Sequence, residues 1–293
     1  MYTLREQYIS KMKPLEFIKS LNNKGIWSFT SELAREQLGK GFRSELRKLS
    51  MEGRLISPGR GFYAIIPEEY SISGRIPMDR YIDNLMNYYK VPYYVGLLSA
   101  AAYYGSSHQS PQILQVITNP SRRPIRKRKN KIVFYRKKNI KRIEKVLRNT
   151  PTGYINLSTV ETTFFDLIMY YRRVGGLDQV YQVASEMTEQ FTSVGLLKSA
   201  KNFPLPVVQR GGFILERLGY RKGLNKLNLY IIKESAVTTI LNPSNTLINK
   251  SFNDPWRLVI NDDIETEEGF HKHILRSGKM KLHGKAMIKL NRI

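Results

Sequence analysis

The sequence predicts an α+β fold, with two domains followed by a basic tail. Helical periodicity dominates the chain, but short runs rich in β-branched and aromatic residues, "QILQVIT" and "KIVFYRK" among them, interrupt it. The stretch "PEEYSISGRIPMD" carries two prolines, a glycine and two serines with few apolar residues, marking a boundary near residues 67–78. At 293 residues and 41% hydrophobic content, the chain has the material for two cores. The expected organisation is residues 1–75, residues 76–264 and a tail over residues 265–293.

In the first domain, Leu15, Ile18 and Leu21 recur at helical spacing, and "NNKG" ends that helix. A second helix starts at a cap, Thr30 or Ser31, and runs through Leu33 to Leu38, with Gly39, Lys40 and Gly41 as a tight turn. A third spans Phe42 to about Glu52. There Phe42, Leu46 and Leu49 face the core, which turns Arg43, Ser44, Arg47 and Lys48 outward. "RLISPGRGFYAII" then reads as a hairpin with Arg60 between two glycines at its tip. Helix, helix, helix, hairpin is the order of a winged helix-turn-helix. Lys40, Arg43, Ser44, Arg47 and Lys48 would meet the major groove, and Arg60 a phosphate or the minor groove.

In the second domain a helix is expected from Met78 to about Tyr89, and "PYYVGLLSAAAYYG" reads as a small-residue helix. His108 follows as a hydrogen-bonded loop residue, since no nucleophile or carboxylate signature accompanies it. "QILQVIT" and "KIVFYRK" bracket a basic block and are expected to form a hairpin carrying it, exposed to solvent. From Arg122 to Arg148 there are fourteen Lys and Arg against the single acid Glu144, a net +13 of the chain's +24. Arg122, Arg123, Arg126, Lys127, Arg128, Lys129, Lys131, Arg136, Lys137 and Lys138 therefore form a basic patch for an anionic partner. Farther on, Ser158 with Glu161 reads as a capping box. Leu177, Val180, Val183 and Met187 share one helical face, "PLPVVQRGGFILERLGY" reads as a helix interrupted by Gly211 and Gly212, and "WRLVI" is a last strand.

These strings, taken together, carry a resemblance. "YYVGLLSAAAYYGSSHQSPQILQVIT", then "RRPIR", then "STVETTFFDLIMYYRRVGGLDQV", then "VVQRGGFILERLGY" resemble, in order, segments of the AbiEi-type antitoxins of type IV toxin-antitoxin (abortive infection) systems. The resemblance spans roughly residues 10–262. It implies a winged helix-turn-helix followed by a mixed, helix-rich α/β antitoxin domain. It also implies repression of the chain's own operon through inverted repeats in double-stranded promoter DNA. The implied functional partner is a nucleotidyltransferase-class toxin, opposed without a stable toxin-antitoxin complex. The winged-helix role falls on Lys40, Arg43, Ser44, Arg47, Lys48 and Arg60, and the family's basic segment on Arg122, Arg123 and Arg126. The chain is richer in Lys and Arg just beyond, so that charge serves either DNA or a toxin-related function.

No catalysis, cofactor or metal is expected. A nuclease would need clustered carboxylates, and the one dense cluster, Asp262, Asp263, Glu265, Glu267 and Glu268, has no lysine placed as in a nuclease core. There is no phosphate-binding G-x-x-x-x-G-K-[ST] loop. The three histidines of the tail sit among basic residues without acid ligands. A winged-helix regulator with a ligand-sensing second domain stands as the alternative, and a DNA-acting nuclease behind it. Zero cysteines fit a reducing cytoplasm, no apolar run approaches the roughly 20 residues of a spanning helix, and "MYTLREQYISKMKP" lacks the apolar centre of a secretory signal. A cytoplasmic address with no membrane partner is expected.

Overall fold

The computed structural model describes residues 12–71, 76–106, 113–245 and 251–262. His108, Asp263 and the tail lie outside those residues. The chain begins with α1 (Pro14–Asn23), β1 (Ser28–Thr30), α2 (Ser31–Leu38), α3 (Phe42–Met51), β2 (Leu55–Gly59) and β3 (Phe62–Ile65), and β3 lies between β1 and β2 in a small sheet. Thr30 caps α2 by accepting from the Leu33 amide. Gly39 and Gly41 both take positive φ, as the tight α2–α3 turn requires. On α1 the core face is Phe17, Ile18 and Leu21, whereas Leu15 is exposed, because the helix turns its bulkier aromatic toward Phe29.

A short α4 (Glu68–Ser71) and a 3-10 turn (Met78–Arg80) lead to α5 (Ile82–Tyr88), β4 (Tyr93–Val95) and α6 (Leu97–Tyr103). The run expected as one small-residue helix is thus a strand and a helix. Tyr93–Val95 is aromatic and β-branched and pairs on both sides, and Gly96 ends it because a Cβ there would meet Ile117 at 2.9 Å. Next come β5 (Ile113–Thr118), β6 (Ile125–Lys127), β7 (Asn130–Arg136), β8 (Lys145–Thr150) and β9 (Gly153–Ser158), in a six-stranded sheet of order β6-β7-β5-β4-β9-β8. β5 and β7, expected as a hairpin, are parallel neighbours from Ile113 opposite Lys131 to Thr118 opposite Arg136. The hairpin is β6 with β7, turning at Arg128 and Lys129. The chain can reverse inside the basic block because Arg128 takes positive φ there.

The rest is mainly helical: α7 (Val160–Met169), α8 (Leu177–Met187), α9 (Ser193–Ala200), α10 (Leu205–Arg217) and α11 (Leu224–Lys233), then a second small sheet of β10 (Thr239–Ile240), β11 (Ser251–Asn253) and β12 (Leu258–Ile260). The α7 cap is Thr159, which accepts from Thr162. Ser158 instead ends β9 and hydrogen-bonds Thr163, and Glu161 reaches across to the amide and hydroxyl of Thr192. α10 runs unbroken through Gly211 and Gly212. Those residues admit neighbours, since a Cβ on Gly211 would lie 2.8 Å from Phe165, and one on Gly212 would fall inside the Trp256 ring.

The large sheet separates two cores. Tyr94 and Ile117 point to a helical core with Phe164, Phe165, Val180, Leu196, Ile214 and Trp256. Tyr93, Val95, Leu114, Val116, Ile132 and Phe134 point the other way, where they meet α5 and, from the N-terminal hairpin, Ile56, Phe62, Ala64 and Ile66. The hairpin's opposite face, Leu55 and Ile65, closes a third core with Phe17, Leu46 and Leu49. The hairpin is therefore apolar on both faces and sandwiched.

Gly212→Ala is expected to destabilise the protein by about 1–3 kcal/mol despite the better helix propensity of alanine, because the buried Trp256 is tied to Glu216 and cannot step aside. Urea denaturation measures it, and stability equal to wild type would contradict the packing described.

Candidate nucleic-acid interface

α3 buries Phe42, Leu46 and Leu49 and leaves Lys40, Arg43, Ser44, Arg47 and Lys48 exposed, so the helix presents a cationic face. Two of these groups are already engaged. The Ser44 hydroxyl donates to the Gly41 carbonyl at 2.8 Å, and Lys48 pairs with Glu45 at 3.3 Å, a surface contact worth little. Arg60 is exposed at the tip between β2 and β3, but its backbone is held: Tyr88 donates to its carbonyl at 3.1 Å. Gly59 and Gly61 lie beneath the Tyr89 and Tyr88 hydroxyls, and at Gly61, already at positive φ, a Cβ would stand 2.6 Å from Tyr88 Oη. The tip is clamped to α5.

The β6–β7 hairpin meets α3 at its own tip. Arg128 Nη2 donates to the Ser50 carbonyl at 3.1 Å, and the guanidinium fills the space a Cβ on Gly53 would need. This contact brings the tip of the hairpin, where Arg126, Lys127 and Lys129 are exposed, to the C-terminal end of α3. Across the hairpin Arg126 stands opposite Lys131, a like-charge pair that costs stability unless an anion screens it. Arg122 lays its guanidinium 3.6 Å from the Tyr89 ring centroid, while Arg123 projects into solvent. Buried ties fix the same junction: Asn130 hydrogen-bonds the Ile76 backbone in both directions, and Asn84 donates to Ser28 at 3.0 Å.

The far end of β7 differs. Arg136 and Lys138 are exposed, but Lys137 is 2% exposed and pairs with the fully buried Asp166 at 2.8 Å. Lys137 therefore leaves the surface patch. Strand alternation turns it inward between two outward cations, and its backbone amide is held by the Thr118 carbonyl at 3.1 Å. Tyr94 donates to the other Asp166 oxygen at 2.8 Å, and the ammonium sits 3.3 Å from the Phe203 ring centroid. Burial pulls the Lys137 pKa down and pushes that of Asp166 up, and the mutual charge and hydrogen bond oppose both shifts. Asp166, Tyr94 and Phe203 were not picked out from sequence. The signal was there for Asp166, a lone acid in the apolar run "TTFFDLIM", since a charge in a buried helix needs a partner.

Among the described residues no cluster of three or more His, Asp or Glu is placed to hold a metal ion. Of the acidic cluster only Asp262 is described, and its carboxylate accepts from Asn242 at 2.6 Å. No helix of the described residues is long and apolar enough to cross a membrane.

The protein is thus of mixed α+β class, with a helical layer behind a six-stranded sheet and α5 and the N-terminal hairpin in front. Residues 94–217, from β4 to the end of α10, match the family model described as the AbiEi antitoxin C-terminal domain, which supports an AbiEi-type antitoxin. No curated protein matches the chain. Among solved structures, the RV2827C protein of Mycobacterium tuberculosis is similar at a TM-score of 0.62 and 15% identity, covering 90% of this chain and 94% of that one. That likeness shows a shared fold.

Replacing Asp166 with Asn leaves the Lys137 ammonium buried without a countercharge and is expected to cost about 3–5 kcal/mol in urea denaturation. Adding Lys137→Met should restore part of the loss, because the uncompensated charge is gone. A double variant no more stable than the single one would contradict this account.

Proposed function

We propose that the chain is the antitoxin of a type IV toxin-antitoxin system that opposes a nucleotidyltransferase-class toxin and represses its own operon by binding promoter DNA. In this reading residues 1–75 are a winged helix-turn-helix with α3 as recognition helix. Residues 76–264 form the antitoxin domain, and neither domain performs catalysis. The observation that carries the DNA half is the contact of Arg128 with Ser50. It brings the hairpin tip to the C-terminal end of α3, which supports reading the exposed cations of both as one positive tract. The observation behind the antitoxin half is the family match over residues 94–217. Arg43, Arg47 and Lys40 would reach phosphates and base edges, and Arg126, Lys127 and Lys129 would follow the backbone of the same duplex. Promoter DNA with inverted repeats would take two copies. The toxin would be opposed without a stable complex, and the address would be cytoplasmic.

The N-terminal hairpin shares a core with the second domain, so the full chain is the form to test. In gel-shift titrations the wild type should prefer its own upstream DNA to a scrambled duplex. Arg126→Gln with Lys127→Gln and Lys129→Gln should reduce the slope of log K against log salt by roughly 2–3, about 0.9 for each lost phosphate contact, and leave sequence preference intact. Arg43→Ala with Arg47→Ala should instead abolish the preference. Equal, weak binding of wild type to both DNAs would sink the repressor reading. An unchanged salt slope in the triple variant, with lost protection against the toxin encoded beside it, would assign the hairpin to antitoxin action.

A further inference from the structure

A cleft of about 500 Å³ opens where the end of β7, the end of α7 and the α9–α10 turn meet. It is lined by Arg136 to Asn139, Met169 and Lys201 to Pro204. Such a volume falls in the range of small-ligand sites. Its chemistry is one-sided. Arg136, Lys138 and Lys201 are exposed at its rim, and no carboxylate belongs to the lining. Among the described residues none of these three cations has a salt-bridge partner, whereas nearby Lys198 is paired with Glu144. Three cations without a carboxylate partner line a concave wall that also holds Met169, Phe203 and Pro204, Arg136 donating to the neutral Asn119 Oδ1 at 3.5 Å, and together they focus a positive potential that a polyvalent anion would relieve.

The walls are braced. Asn139 Nδ2 donates to the Asn202 carbonyl at 3.0 Å, bridging the β7 end to the α9–α10 turn. Tyr170 donates to the Arg136 carbonyl at 2.6 Å. Beneath them the Lys137 ammonium is committed to Asp166, so the wall supplies a closed ion pair and the rim supplies the free charge. Phe203 is 6% exposed, with Lys137 over its ring, and offers little face for a base to stack on. Recognition here is therefore of phosphate charge.

We infer that this cleft is a binding site for a small phosphate-bearing ligand, with Arg136, Lys138 and Lys201 contacting its phosphate oxygens. The site is separate from the DNA tract. β7 carries the hairpin tip at its start and the cleft at its end, six residues on, a span of about 20 Å in extended chain.

Inorganic pyrophosphate and ATP, titrated into the full chain by calorimetry at moderate salt, test the inference. The control variant is Arg126→Gln/Lys127→Gln/Lys129→Gln, which removes the exposed cations of the hairpin and so reads out any pyrophosphate bound there instead of in the cleft. Lys138→Ala/Lys201→Ala, at two exposed positions, should weaken pyrophosphate binding by roughly tenfold or more, with unchanged circular dichroism. The control should bind pyrophosphate as wild type does. ATP should compete with pyrophosphate, and the cleft variant should bind duplex DNA as tightly as wild type. Absence of pyrophosphate binding, undiminished binding by the cleft variant, or equal loss in the control would overturn the inference. Weakened duplex binding in the cleft variant would also overturn it, by making the cleft part of the DNA tract.

Discussion

The buried group of Lys137, Asp166 and Tyr94 holds the sheet to the helices behind it. Asp166 lies on α7, a helix enclosed along most of its length, so water cannot solvate its charge. Among the described residues an internal cation and a hydroxyl answer it, and they come from the residue after β7 and from β4. Replacing such a pair with apolar residues often costs a protein nothing, so its geometry matters here more than any stability it contributes, since it ties β4 and the end of β7 to α7. With Lys137 drawn inward, Arg136 and Lys138 must face out. With β7 parallel to β5, its start must lie at the opposite end, against α3. One buried contact thus sets the position of both basic features.

The second constraint is the N-terminal hairpin. A strand whose two faces are both apolar cannot project into solvent, and this one is packed between the small three-helix core and the core in front of the large sheet. Tyr88 and Tyr89 close over its glycines, and Arg122 stacks on Tyr89 from the connection between β5 and β6. α3 is therefore held in a set relation to the β6–β7 hairpin. A rigid junction of this kind lets charges from distant parts of the chain act on one partner without the entropy cost of ordering two tethered domains.

The +13 segment is divided by this architecture. Lys137 is consumed inside the protein, Arg122 lies against an aromatic ring and Arg128 anchors a helix end. The others are spread over the β6–β7 hairpin, the rim of the cleft and the opposite edge of the sheet at β8, where Arg148 lies over the Tyr103 ring. Local charge density in a sequence measures an electrostatic field well, but it does not say how many of the charges are spent in holding the fold together.

Local rules were enough to read much of the chain. The periodicity of Phe42, Leu46 and Leu49, the glycine turn before them, the Thr30 cap and the face of α8 all follow from spacing within one turn or two. The outward cations of α3 follow with them. What failed did so where a distant neighbour decided. Tyr93–Val95 is a strand because strands on both sides pair with it, α10 continues through two glycines because Phe165 and Trp256 fill their missing side chains, and β5 and β7 run parallel because β6 turns back at Arg128. "GFYAII" showed by its unbroken apolarity that both faces would be covered, but not by what. The sequence by itself determined the three helices before the first hairpin, the Thr30 cap, the face of α8 and the location of the charge, since these depend on residues a few positions apart. Only the tertiary structure decided the strand pairing, the burial of Lys137 and the meeting of Arg136, Lys138 and Lys201 around one cleft, because each depends on groups that only the folded chain brings within a few ångströms.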